Sequence, residues 1–414
     1  MTQPARDADV LIVGGGPAGS AAARVLAAAG RSVIVIDKAE FPRDKCCGDG
    51  LTTLALRELE TLAFDPRAVP SWTHVDAAWL RSPSGREVCV PLAGRGQFAA
   101  VTPRIELDNA LVDHARAAGA TVLDGHAFAG FVEGHHPDSV VTDVAGIGPV
   151  RSRYVVAADG MWSPVRKALG MGEEGYLGEW HGFRQYATNV TGPARERLYV
   201  WFDADLLPGY AWSFPLVGGR ANVGFGLLRD GTRKVQDMKA IWPELLRRDH
   251  VREALGEGAV MEGRHTAWPI PARIDRATLS AGRVLFVGDA ATATDALTGE
   301  GIGQALLTGR LAAEAILAAG ALDPIGTVTR YEHAVERHLL ADHEMSLRLG
   351  RVLTHRRGAE AALRLVDTSG WARRNFARWM FEDEPRAVAL TPTRWHRGMF
   401  HRDGAFAGPL GSRA

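Results

Sequence analysis

The chain has 414 residues, 46% of them hydrophobic and 23% charged, which suits two or three globular domains or one large mixed one. Lysine plus arginine and aspartate plus glutamate both number 48, so no net field favours nucleic acid. Three cysteines cannot build a disulfide framework, no zinc-ligand spacing occurs, and neither a signal-like apolar segment nor a run of ~20 apolar residues is present, so the expectation is a cytoplasmic, reduced protein with no metal.

The first predicted elements are a buried parallel strand at DVLIV (9–13), a helix over PAGSAAARVLAAAG (17–30) and a second buried strand at SVIVID (32–37). Between strand and helix lie Gly14, Gly16 and Gly19, with Ala18 among the small residues that open the helix. This is the G-x-G-x-x-G spacing: Gly14 for the tight turn, Gly16 for close approach of a pyrophosphate, Gly19 for close packing of helix on strand. The phosphates would rest on the positive end of the helix. Asp37 ends the second strand, where an acid accepts hydrogen bonds from a ribose. Next comes FPRDKCCGDGL (41–51), two adjacent cysteines in a glycine-rich turn. Such neighbours seldom pair, because the closed ring is too tight for relaxed disulfide geometry.

LRSPSGREVCVPL (80–92) reads as a hairpin with Cys89 in the core, and Arg104 in PRIELDNAL starts a helix. RYVVAADGMWSPVRKALG (153–170) is a buried strand, then Asp159, then Ser163 and Arg166 opening a helix. In YAWSF the residues Tyr210, Trp212 and Phe214 alternate, so all three leave one face of a strand. That pattern suits core or the wall of a cavity. GRVLFVGDAATATDALTGEGI (282–302) is another buried strand, then Asp289, then a turn through Gly299, Gly301 and Ile302 into a long helix. The free N–H groups and dipole of that helix start suit the N1/C2=O edge of a flavin. An acid at each of two strand ends can reach sugar hydroxyls. Together with the N-terminal fingerprint these turns point to FAD, and no residue in them demands a covalent link. The last ~85 residues read as helices. Trp371, Phe376, Trp379 and Met380 are candidates for one helix face, either at a membrane surface or capping the neighbouring domain. The end, FAGPLGSRA, reads as disordered.

The set GGGPAGS, ADGMWSPVR and GDAATATDALTGEGI resembles the FAD-dependent oxidoreductases built like aromatic hydroxylases. Within that group FPRDKCCGDGL and YAWSFP resemble the geranylgeranyl reductase family. Ala296 departs from the pattern, which carries a proline there. The resemblance implies an α/β FAD-binding Rossmann-like domain of the glutathione-reductase and aromatic-hydroxylase type (residues 1–70, 100–170 and 275–330). It also implies a second α+β substrate domain on an antiparallel sheet (71–99 and 171–274). A helical C-terminal extension follows (331–414). Cys47 matches the family cysteine beside the flavin ring, as a contact or proton relay or else as filler, and Cys46 is incidental. Gly48 would let the loop approach the flavin or substrate. Arg43 and Lys45 would bind phosphates or tune the reduced flavin, unless they are plain loop charges. Arg104 would hold FAD, unless it makes a helix-start salt bridge. Tyr210, Trp212 and Phe214 would line an apolar substrate site.

The activity implied is reduction of carbon–carbon double bonds in an isoprenoid or similar apolar substrate. The alternatives are a monooxygenase or halogenase working through a flavin hydroperoxide and, as a third class, an FAD-binding module without catalysis. No second G-x-G-x-x-G marks an NADPH domain, so the electron donor stays open between NADPH and ferredoxin. Oligomeric state has no signal in the sequence.

Overall fold

The computed structural model describes residues 6–133, 138–229 and 235–408. Its first sheet has the order Ser280–Ala281, Val284–Phe286, Gly148–Ala157, Arg6–Val13, Val33–Asp37, Thr121–Asp124. From Val284–Phe286 to Thr121–Asp124 every pairing is parallel. Parallel strands covered by helices are buried on both faces, which explains their unbroken apolar runs. Val10, Leu11, Ile12, Val155, Val156 and Phe286 are all buried. The register sets Val13 beside Ala157 and Ile36, and Ala157 beside Phe286. Four chain segments therefore leave the sheet at one edge, carrying the Gly14–Gly16 loop, Asp37, Asp159 and Asp289. Ligands of such sheets bind beyond this carboxyl edge.

The helices Pro17–Ala28 and Ile302–Ala319 cross against this sheet. Their contact is close enough that a Cβ on Gly309 would lie 2.1 Å from the Ala18 carbonyl oxygen. Ile302–Ala319 is the one helix among the described residues long and apolar enough to cross a membrane, and it is mostly buried inside the protein.

The second sheet runs Val260–Met261, Trp180–Thr188, Arg220–Leu228, Tyr210–Leu216, Leu198–Trp201, Ala77–Arg81, Glu87–Pro91, with Thr266–Ile270 also paired to Trp180–Thr188. It is antiparallel apart from Leu198–Trp201 on Ala77–Arg81. Met238, Trp242, Leu245 and Leu255 cover one face, packed on Phe183, Trp201 and Phe225. Leu363, Val366, Ala377 and Phe381 pack with Val88, Val90, Trp212 and Phe214 on the other. The C-terminal helices thus cap the second sheet.

Several expectations need correction. Ala77–Arg81 and Glu87–Pro91 do form a hairpin, but Cys89 is exposed, because the strand alternation turns Val88 and Val90 inward instead. Phe376 and Met380 pack against the core and Trp379 lies against Phe376. Trp371 is 67% exposed and does not share their face. Part of the C-terminal tail is tied down: Ala405 pairs with Gln97, and Phe406 meets Trp72 edge-on and donates its N–H to Glu60. The rest of that tail, from residue 409, lies outside the described residues. The boundary read at 330/331 falls inside the helix Pro324–Val335.

Candidate FAD and substrate site

A cavity of about 910 Å³ opens along the carboxyl edge of the first sheet and runs to the second, near the upper end of ~300–1,000 Å³ ligand pockets. Every site residue read from the sequence lines it except Gly19. Gly19 sits behind, where an added Cβ would fall 1.8 Å from the Gly14 carbonyl oxygen. Gly14 has φ +107°, and its Cβ would lie 2.2 Å from the Ala158 carbonyl oxygen. Gly16 is different. The nearest atom to its added Cβ is an Arg43 guanidinium nitrogen at 3.6 Å, so its backbone faces open space.

At this end the charges are paired with each other. Asp37 accepts from the N–H of Gly15 at 2.8 Å and of Ala39 at 2.9 Å. Arg43 and Arg104 converge on the buried Asp108, at 2.9 Å and, for both Arg104 contacts, 2.7 Å. Lys45 lies 2.9 Å from Asp289. Arg104 therefore makes the helix-start salt bridge and also lines the cavity, and the same double role holds for Arg43 and Lys45. Asp159 accepts from the Ser163 hydroxyl and the Val165 N–H, both at 2.9 Å. Its second oxygen is buried without a partner. Burial pushes its carboxyl up to about 6. Arg166 joins the two later loops, resting 4.1 Å over the Phe286 ring and donating to the Ala290 carbonyl oxygen.

These residues fit FAD. The helices Pro17–Ala28 and Ile302–Ala319 both start from glycine, with no side chain capping their free N–H groups. Bare helix starts attract phosphate and the electron-rich edge of a flavin. The unpartnered Asp159 oxygen, on a residue that lines the cavity, leaves an acceptor that a ligand hydroxyl could satisfy.

The far end is apolar. Tyr210, Trp212 and Phe214 stand on one side of their strand and wall the cavity. The 41–51 loop lies against this wall. A Cβ on Gly50 would reach Phe214 at 3.0 Å, and one on Gly48 would reach Phe214 at 3.4 Å. Here the glycines serve contact with the aromatic strand. The Tyr210 hydroxyl donates to the Thr298 carbonyl oxygen. The Trp180 indole donates to the carbonyl oxygen of Ala296 at 3.0 Å, in the turn where the expected proline is missing.

Cys46 and Cys47 are free and half-buried, and both line the cavity. Burial pushes the Cys47 thiol up to about 11, so it is a neutral thiol at ordinary pH. Cys46 lies by Thr266 and Arg184, and burial raises its pKa too.

Sequence reasoning missed the residues that hold this loop. Asp49 is fully buried at φ +65°. Its carboxylate accepts from Tyr186 and Asn222 at 2.8 Å each and from the Arg104 N–H at 3.2 Å. Burial raises it to about 6. Asn222 also donates to the Cys47 carbonyl oxygen at 2.8 Å and accepts from the Trp212 indole at 3.0 Å. Asp49 was visible in the motif, but an acid between glycines looks like turn chemistry. Tyr186 and Asn222 sit in strands with no local signal. Glu300, in the quoted TGEGI turn, was read only for its backbone; its side chain also lines the cavity.

The turn before Ile302 is fixed from behind. Asp295 accepts from the N–H and hydroxyl of Thr298 at 2.8 and 2.7 Å, from Ser346 at 2.9 Å and from Arg386 at 3.1 Å. Arg386 also pairs with Glu382 at 3.7 Å. The C-terminal segment therefore buttresses the flavin-facing turn.

Residues 7–313 match a family described as FAD binding domain. The chain is 33% identical to a menaquinone reductase of Mycolicibacterium smegmatis, covering 84% of this chain and 85% of that one. It is 31% identical to digeranylgeranylglycerophospholipid reductase 2 of Methanopyrus kandleri, covering 84% and 86%. A solved structure of a geranylgeranyl bacteriochlorophyll reductase-like protein from Thermoplasma acidophilum shares the fold with a TM-score of 0.77 and 22% identity, covering 94% of this chain and all of that one.

Proposed function

The chain belongs to the geranylgeranyl reductase family of FAD-dependent oxidoreductases, and from that premise we propose that it reduces carbon–carbon double bonds in the isoprenoid chain of a lipid or quinone. The observation that carries this reading is the single cavity that joins the FAD end to the Tyr210–Trp212–Phe214 wall. Aromatic side chains give an isoprenoid chain large apolar contact. The wall is apolar and its one hydroxyl, on Tyr210, is engaged with Thr298, which suits an alkene better than a polar aromatic. The relatives' names, menaquinone reductase and digeranylgeranylglycerophospholipid reductase, both refer to prenylated molecules, which supports the same class.

Reduced FAD supplies one hydrogen with its electron pair when bound. The protein's own residues do the rest. Gly16 and the two helix starts would receive phosphate and ring edge. Asp37 and Asp159 would receive sugar hydroxyls. Arg43, Lys45 and Arg104, each paired with an acid, set the field around the cofactor. Asp49, Asn222 and Tyr186 hold the Cys47–Gly48 backbone against the aromatic wall, so that Cys47 touches the substrate at a fixed place. Product mass tests the activity: each reduced double bond adds two hydrogens and no oxygen.

The two cysteines give a sharper comparison. Cys47→Ser is expected to fold, keep FAD and lose about tenfold in kcat/KM, the scale of one altered pocket contact. Cys46→Ser, whose neighbours are Thr266 and Arg184, is expected to change little. Steady-state assays on both variants check this; equal turnover in the two would reduce Cys47 to filler.

A further inference from the structure

We propose that Glu300 is the proton donor of this site, an assignment that rests on the reductase reading above. A double bond that has taken hydrogen and an electron pair at one carbon must take a proton at the other. That proton leaves the Glu300 carboxyl, a new C–H bond forms, and the carboxylate is reloaded from solvent. The site offers few other sources. The Tyr210 hydroxyl is spent on Thr298. Asp49 is buried, is engaged by Tyr186 and Asn222, and does not line the cavity. Asp159 belongs to the cofactor end, where Ser163 and Val165 hold it. The Cys47 thiol, held neutral at about 11, is further from the working pH than a carboxylic acid poised near it and is the less efficient donor.

Glu300 has what these lack. It stands between Gly299 and Gly301 in the turn that opens the helix Ile302–Ala319, and it lines the same cavity as Cys47 and Tyr210. It is close enough that its charge acts on both. Among the described residues no hydrogen bond steadies its ionised form. The charged groups that face it are Glu382 and Asp295, which oppose its ionisation, and Arg386, which favours it. Arg386 is already committed to Asp295 and Glu382. On the cavity's other walls Lys45 pairs with Asp289, Arg43 with Asp108 and Asp37, and Arg104 with Asp108. Burial first, then Glu382 and Asp295, push the Glu300 carboxyl up to about 8. A carboxylic acid kept neutral by burial and by neighbouring acids, and poised near the working pH, is a competent general acid.

The test compares wild type, Glu300→Gln and Glu300→Asp, each with FAD bound. Wild-type kcat on a polyprenyl substrate is expected to fall as pH rises through about 8. Glu300→Gln is expected to keep FAD, lose about 100-fold in kcat and show no such pH dependence, whereas Glu300→Asp retains part of the rate. Infrared difference spectra of the oxidised, substrate-free protein supply a readout apart from turnover. Wild type should lose a protonated-carboxyl band across pH about 8 that Glu300→Gln never shows. A Gln variant with wild-type kcat and pH profile, or a wild type with no such band, overturns the assignment and leaves the reductase reading standing. A wild type that adds hydrogen to no polyprenyl double bond removes both.

Discussion

Gly16→Val is expected to purify folded but colourless. The protein itself has room for the new side chain: Gly16 has φ −72°, which any residue adopts, and only an Arg43 nitrogen at 3.6 Å faces its Cβ. What a valine would strike is a pyrophosphate laid against that backbone, the use this position has in the fingerprint. Gly14→Ala and Gly19→Ala serve as contrasts. There an added Cβ meets backbone at 2.2 and 1.8 Å, so those variants should lose the fold as well as the flavin. Flavin absorbance and circular dichroism on the three proteins separate the cases. A Gly16→Val protein with full FAD occupancy would place the phosphates elsewhere.

Arg386→Ala is expected to cost about 3–5 kcal/mol, the usual penalty for leaving a buried charge uncompensated. Arg386 is 4% exposed and ion-paired with Asp295 and Glu382. Burial opposes the charge of Asp295, and Arg386 together with Thr298 and Ser346 more than offsets it, so the Asp295 carboxyl sits below its ordinary value. A group lowered in this way contributes stability above its unfolded pKa and loses it as pH falls through the folded value. The variant lacks the Arg386 share of that contribution, so the gap between the two proteins should narrow on acidification. Urea midpoints against pH measure this. FAD affinity should fall too, because Asp295 fixes the turn that leads to Ile302. A midpoint within error of wild type at neutral pH would mean the C-terminal segment does not buttress the site.

The cofactor end was legible in the sequence because its chemistry is local. Gly14, Gly16 and Gly19 lie within one turn, and Asp37, Asp159 and Asp289 each follow a strand whose apolar run announces it. The parallel register then brings four segments to one edge. The aromatic wall was legible from alternation at Tyr210, Trp212 and Phe214, though alternation alone does not say whether a face meets core or cavity. Cys89 shows the limit: its strand alternates too, and it points outward.

The supports of the site were not legible. Asp49 to Asn222 spans 173 residues and Arg386 to Asp295 spans 91. Neither pair has a spacing that sequence could signal, since both depend on how the second sheet and the C-terminal helices dock. Lys45 and Asp289 were each read as cofactor-binding residues and both line the cavity, yet their mutual ion pair across 244 positions is a fact of the fold alone. Glu300 was overlooked for a different reason: a turn rich in glycine draws attention to its N–H groups and away from its side chain.

On the reading proposed above, this cavity carries hydrogen, not oxygen, to an isoprenoid double bond. The direct measurement is a single turnover of the chemically reduced protein with a polyprenyl substrate under strict exclusion of O₂, followed by mass analysis of the product. The flavin colour is expected to return as substrate is consumed, and the product to gain two hydrogens for each double bond reduced. A flavin that stays bleached until O₂ is admitted, with a product carrying added oxygen or halogen, would contradict it.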